Sequence, residues 1–179
     1  AVLTGDPLIA QPEILGNDTL FISGITMEYF GGEKSQFVVT DSVKIKRGTL
    51  EATSRRATYD LDNAMIYLRD NPEILFKTTE IYGDRIDIQL ENDVINEIIV
   101  IDDAVAYTVA DTSEQYDFKN ELRGKTLNIY LDGEAIEKIV ATHNAESVYY
   151  SFENNELQGK NVSTSGKIVI LLEQGRLYE

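Results

Sequence analysis

The chain has no cysteine and no tryptophan, one histidine and three prolines among 179 residues. Without cysteine there is neither a disulfide framework nor a thiolate metal site, and the redox compartment is not written in the sequence. A single histidine, His143, argues against a multi-histidine metal centre. Basic residues are scarce as well: 16 Lys and Arg stand against 31 Asp and Glu, a net charge of −15 at pH 7. That balance opposes sequence-independent binding to nucleic acid or to an anionic membrane surface, because both need a basic footprint. Solubility and self-repulsion account for such acidity without a specific ligand. No apolar run approaches the length of a membrane-spanning helix, and the opening AVLTGDPLIA lacks the basic start and long apolar core of a secretion signal. The start at Ala1, without Met, leads to the expectation that a signal or anchor has been removed.

What is present favours strands. Ile, Val and ten Tyr carry much of the apolar content. Period-2 alternation reads as strands over Thr19–Ser23, Gln36–Val39, Val43–Lys46, Met65–Leu68, Arg85–Leu90, Lys125–Leu131 and Lys167–Leu172, with no competing helix-period stretch. In IDIQL, Ile86, Ile88 and Leu90 point one way and Asp87 and Gln89 the other. Turn signals punctuate the runs at Gly31-Gly32, Asp62-Asn63, Asn71-Pro72, Glu91-Asn92-Asp93, Asp132-Gly133, Glu153-Asn154-Asn155 and Gln174-Gly175. EIIVIDDAVAYTV is apolar on both faces in its first half, as a strand covered on both sides or set between two sheets would be. Pro7 and Pro12 make residues 1–16 an edge or a loose tail. The length suits one domain spanning residues 1–179.

A repeat organises these strands. GDRIDIQLENDVINEIIVIDDAVAY, from Gly83, realigns with GKTLNIYLDGEAIEKIVATHNAESV, from Gly124, at a lag of 41 residues without a gap. Six positions are identical: Gly83/Gly124, Ile88/Ile129, Leu90/Leu131, Ile95/Ile136, Ile98/Ile139 and Ala104/Ala145. A third copy begins with Ile168, Ile170 and Leu172, where Ser165 replaces the glycine and suggests a register slip. A secondary lag of 35 residues relates Gly48 to Gly83 and Gly124 to Gly159. Each strand pair has one apolar face that it cannot bury alone, so neighbours must stack and a second layer must cover them, as in a jelly roll or β-solenoid.

ATYDLDNAMIYLRDNPEI (residues 57–74), IYGDRIDIQLENDVINEI, LRGKTLNIYLDGEAIEKIVATHNA and SGKIVILLEQGRL together resemble the repeats of the OstA-like periplasmic proteins of lipopolysaccharide transport, of the LptA and LptC type. The resemblance covers roughly Gly48 to Glu179 and rests on the order and spacing of turn and core positions. It implies an all-β, twisted two-sheet β-jelly roll built from stacked strand repeats. It also implies a non-enzymatic periplasmic role, with lipopolysaccharide acyl chains carried in an apolar groove between the sheets. Partners would be the lipid and further bridge proteins, or a second copy, joined by edge-strand pairing, with no cofactor, metal or nucleic acid.

The dry stripe is the expected groove lining: Ile86, Ile88, Leu90, Leu127, Ile129, Leu131, Ile168, Ile170 and Leu172. The same residues would equally fill an ordinary core. Lys44, Lys46, Arg47, Arg55 and Arg56 form the one basic island and are candidates for phosphate contact, against a simpler reading as a solvated face. Other chemistry is weakly signalled. His143 occupies the repeat position of Asp102 and reads as a turn residue, and Asp102-Asp103 and Asp60/Asp62 are too commonplace to mark an acid–base pair. Asp60, Asp62 and Asn63 fail as a calcium loop because Ala64 stands where the next oxygen ligand belongs. Asn17-Asp18-Thr19 and Asn161-Val162-Ser163 match glycosylation acceptors, which carry no meaning in a bacterial periplasm. Tyr149 and Tyr150 must face opposite sides of a strand, one in and one out. The alternative function is a structural or adhesive β-repeat protein with a packed interior and a partner-binding outer face.

Overall fold

The computed structural model describes residues 1–12, 18–110, 118–133, 135–153, 156–173 and 176–177. The strands are β1 (Val2–Thr4), β2 (Leu8–Pro12), β3 (Thr19–Ser23), β4 (Thr26–Phe30), β5 (Gln36–Arg47), β6 (Leu50–Asp60), β7 (Met65–Arg69) and β8 (Glu73–Phe76). They continue with β9 (Thr79–Tyr82), β10 (Arg85–Glu91), β11 (Val94–Val109), β12 (Lys119–Asp132), β13 (Ala135–Glu153), β14 (Glu156–Glu173) and β15 (Arg176–Leu177). All pairings are antiparallel, and the described residues contain no helix. The predicted turns at 153–155 and 174–175, the acceptor Asn17 and residues 13–16 of the N-terminal segment lie partly or wholly outside the described residues.

The long strands each serve two ladders. β5 pairs with β4 through Gln36–Thr40 and with β3 through Lys44–Lys46; β11 pairs with β10 through Val94–Ile101 and with β9 through Val105–Thr108. The switch falls on pairs of residues with positive φ, Asp41-Ser42 in β5 and Asp102-Asp103 in β11, and β13 bends on the same kind of pair, His143-Asn144, while keeping β12 and β14 as neighbours on both sides of it. Asp70-Asn71, between β7 and β8, makes the same corner. Asp and Asn tolerate this left-handed conformation better than most side chains, which is why the corners are rich in them. His143, expected as a turn residue, therefore lies inside a continuous strand that bends, as Asp102-Asp103 do in β11.

Opposite the corners sit the repeat glycines Gly83 and Gly124 and, at the β5 corner, Gly24. The amide of Ile25 donates to Asp41 O at 2.9 Å and that of Asp84 to Asp102 O at 2.9 Å, bringing Gly24 and Gly83 against the bends. A Cβ on Gly24 would lie 2.5 Å from Val39 Cγ1, and one on Gly83 2.4 Å from Val100 Cγ1. On Gly124 it would meet the Thr142 carbonyl oxygen at 2.9 Å. Ser165 pairs with Ala145 as Gly124 pairs with Ala104, so the third copy keeps its register and no slip occurs. It can carry a side chain because no further described strand presses a corner against it. The 35-residue lag has no structural counterpart: Gly48 is in the β5–β6 turn and Gly159 inside β14, whereas Gly83 and Gly124 face corners.

One continuous sheet is folded at these corners around one core; the part that contains β7 and β10 is its first layer and the part that contains β8 and β9 its second. The pairings β6-β7-β10-β11-β9-β8-β6 return on themselves, a closed six-strand barrel with β1–β5 and β12–β15 as outer strands. Ile66, Leu68, Ile86, Ile88, Ile98 and Val100 from one side of the ring and Ile74 and Ile81 from the other are at most 2 % exposed. Each such aliphatic side chain contributes about 1.5–3 kcal/mol on burial. β1 and β2 are the edges at the N-terminal end, with Pro12 closing β2 where no ladder donor is needed.

Candidate functional site

Towards the C-terminal end the two layers cease to match. In the first layer the inward positions stay aliphatic: Ile129 pairs with Ile139, Ile139 with Ile170 and Ala141 with Ile168. In the second layer the inward row of Ala106 and Leu122 continues into Ser147 and Ser163, and the next row places Tyr149 opposite Asn161. Small polar side chains on one wall cannot fill the space against aliphatic ones on the other, so the space between them is left unfilled. The result is a groove of about 500 Å³. Its first-layer wall is Ile136, Ile139, Ile170 and Leu172, and its second-layer wall includes Ala106, Thr108, Leu122, Ser147 and Tyr149. The β8–β9 turn, Phe76–Thr79, completes the lining.

The groove is electrostatically quiet. Lys77 and Glu121 are the charged residues among its described lining, and Glu121 is ion-paired with Arg123. Asn120 is committed to the wall, its Oδ1 accepting the Tyr150 amide at 2.9 Å.

A second, smaller pocket of about 160 Å³ is lined by Leu50, Phe76, Val94, Ile95 and Leu131 together with the polar residues Asp18, Arg47 and Thr49. Here the layers are tied together. Arg47 Nη1 donates to the Asp93 carbonyl, Gln11 Nε2 to Asp93 Oδ1 at 2.6 Å, and the Tyr59 hydroxyl to Gln11 Oε1 at 2.5 Å. Burial pushes the Tyr59 phenol up from its ordinary value, so it stays a donor throughout the neutral range.

The expected lining divides between core and groove. Ile86, Ile88, Leu90, Leu127 and Ile129 are buried in the packed interior, Leu131 lines the small pocket, Ile168 packs at the core margin, and Ile170 and Leu172 line the groove. The basic island lies on the paired strands β5 and β6. Lys44, Lys46, Arg55 and Arg56 are exposed; Lys46 pairs with Glu51 at 2.7 Å and Arg55 with Asp41 at 3.3 Å. The Lys46 ammonium, by hydrogen bond and charge, holds the Glu51 carboxyl below the usual range. Arg47 alone points inward, 8 % exposed, and it is the island's one member lining a cavity.

His143 is exposed, with Nδ1 3.2 Å from Thr142 Oγ1. No group of three His, Asp or Glu among the described residues is placed to hold a metal ion. Tyr149 and Tyr150 do face opposite ways: Tyr149 lines the groove, while Tyr150 stacks on Phe118 with ring centroids 4.7 Å apart.

Sequence reasoning missed Phe76, Lys77, Ile136, Ile139 and Tyr149 as groove residues. The signal was in the repeat itself. At the 41-residue lag Ala106 becomes Ser147 and Leu122 becomes Ser163, which is a wall changing from apolar to polar. The chain matches no model of a known protein family and no curated protein.

Proposed function

We propose that this chain is a non-enzymatic lipid-binding protein that carries acyl chains of lipopolysaccharide in the C-terminal groove, as one component of a periplasmic bridge to the outer membrane. The finer architecture we propose is a twisted two-sheet jelly roll that is closed in the middle and splayed at this end. The observation that carries the reading is the groove of about 500 Å³ with an aliphatic wall of Ile136, Ile139, Ile170 and Leu172. Its size is that of small-molecule sites, and each methylene buried contributes about 0.8 kcal/mol. The net charge of −15 gives an anionic lipid no general attraction, so the apolar wall must supply the affinity. Edge pairing is supported by β14. Among the described residues its outer edge meets only β15, at Leu172 and Glu173, which leaves a long ladder open to strand addition.

A scaffold protein with a packed interior is the second reading, favoured by the closed ring, where Ile66, Ile86 and Ile88 have no exposure. A photo-crosslinking residue at Ile170, in cells making lipopolysaccharide, separates the two. The lipid reading predicts a lipopolysaccharide adduct at Ile170 and none at Val169, which faces the opposite side of β14. Absence of an adduct at Ile170, or equal adducts at both positions, supports the scaffold.

A further inference from the structure

Phe76 is the one described residue that lines both the groove of about 500 Å³ and the pocket of about 160 Å³. Its ring is 5 % exposed at the end of β8, paired across the ladders with Leu50 on β6 and Thr79 on β9. The Lys77 ammonium lies 5.7 Å from the ring centroid. Beyond the ring lie Leu50, Val94, Ile95 and Leu131, with Asp18, Arg47 and Thr49 as the polar part of the lining and Arg47 donating to the Asp93 carbonyl. We infer that Phe76 is a length gauge: its ring is the blind end of the groove and sets the longest straight apolar chain the protein accepts. The inference rests on the acyl-chain reading above.

Two features make the ring the limiting element. Leu50, Val94, Ile95 and Leu131 beyond it offer apolar wall to further methylenes, but Phe76 stands between that wall and the groove, and a close-packed ring does not yield to a flexible chain end at low cost. In addition, chain affinity rises about fourfold for each methylene accommodated, so a stop in the groove is read directly as a break in a length series. Replacing the ring by a methyl group joins the two spaces. A chain two methylenes beyond the native limit then gains about 15-fold in affinity. Leucine, which removes only part of the ring volume, gives a smaller extension.

The test uses the full chain and straight-chain carboxylates graded in steps of two carbons, measured by displacement of a solvatochromic apolar fluorophore, with thermal melts as a check on folding. For the native protein the affinity should rise with length and then stop. In Phe76→Ala the rise should continue to longer chains, so that the break moves to a greater length. A break at the same length in a folded Phe76→Ala overturns the gauge and leaves the groove reading intact, as does uniform loss at all lengths. Should Phe76→Ala fail to fold, Phe76→Leu carries the decision by the same criterion. Native protein that binds no chain of any length overturns both the gauge and the proposed function.

Discussion

Replacing Gly83 by alanine should destabilise the protein by a steric conflict that a second substitution relieves. The new Cβ would sit 2.4 Å from Val100 Cγ1 and 3.2 Å from the Asp102 carbonyl oxygen. Carbon atoms pack best at about 3.5–4.0 Å, so the valine or the backbone must move by more than about 1 Å. Val100 has no exposure and cannot swing into solvent. Overpacking of this kind costs about 1–3 kcal/mol, offset by about 0.4–1 kcal/mol from the stiffer unfolded chain. The net expectation is a loss of about 1–2 kcal/mol on urea unfolding. Val100→Ala alone also destabilises by opening a cavity. In the double variant the added methyl occupies space the valine has left, so the combined loss should fall short of the sum by about 0.5–2 kcal/mol. Gly24→Ala, which would meet Val39 Cγ1 at 2.5 Å, should behave alike with Val39→Ala. Gly124→Ala meets a backbone oxygen and has no such rescue, whereas Gly166→Ala, with nothing within 4 Å, should be near neutral. A neutral Gly83→Ala, or strict additivity with Val100→Ala, would refute the corner-packing account.

Two further expectations follow from side-chain chemistry. Asp60 accepts the Asn63 side-chain amide at 2.9 Å and the backbone amides of Asn63 and Asp62 at 3.1 Å, bonds that hold its carboxyl below the usual range. A depressed folded value means stability that is fully present above the unfolded carboxylate value, about pH 4, and lost as pH falls through the folded value. The stability gap between native protein and Asp60→Ala should therefore be constant from neutral pH down to about pH 4 and shrink below it; a gap that widens on acidification contradicts this. Arg47→Ala should cost about 1–3 kcal/mol, because it removes the donor to the partly buried Asp93 carbonyl, and hydrogen exchange should speed up in the β10–β11 turn.

The strands were legible wherever alternation ran unbroken: β3 and β10 read from sequence nearly residue for residue. β6 was not. Its inward row is Leu50, Ala52 and Ser54, then Ala57 and Tyr59, and the parity slips at Arg55-Arg56 where the strand changes layer. The basic pair there drew notice as a possible anion contact and hid the bend. The corners of β5, β11 and β13 insert two residues and so keep parity, but Asp41-Ser42 in an apolar run looks like a turn, and β5 reads as two short strands, Gln36–Val39 and Val43–Lys46. The groove was half visible. The aliphatic stripe of the first layer is a property of each strand, but whether it is packed or open depends on the facing layer, and register between layers is tertiary information. Only the change of Ala106 and Leu122 to Ser147 and Ser163 across the repeat carried it.

The central claim is that apolar chains occupy the C-terminal groove and not the closed ring. The most direct measurement is NMR on isoleucine methyl-labelled protein with a proton-bearing acyl ligand, reading contacts from the ligand chain to each methyl group. The account predicts contacts at Ile136, Ile139 and Ile170 and none at Ile88 or Ile98, which are buried in the ring. Bound ligand that contacts none of the first three, or that reaches Ile88 and Ile98 equally, would contradict it.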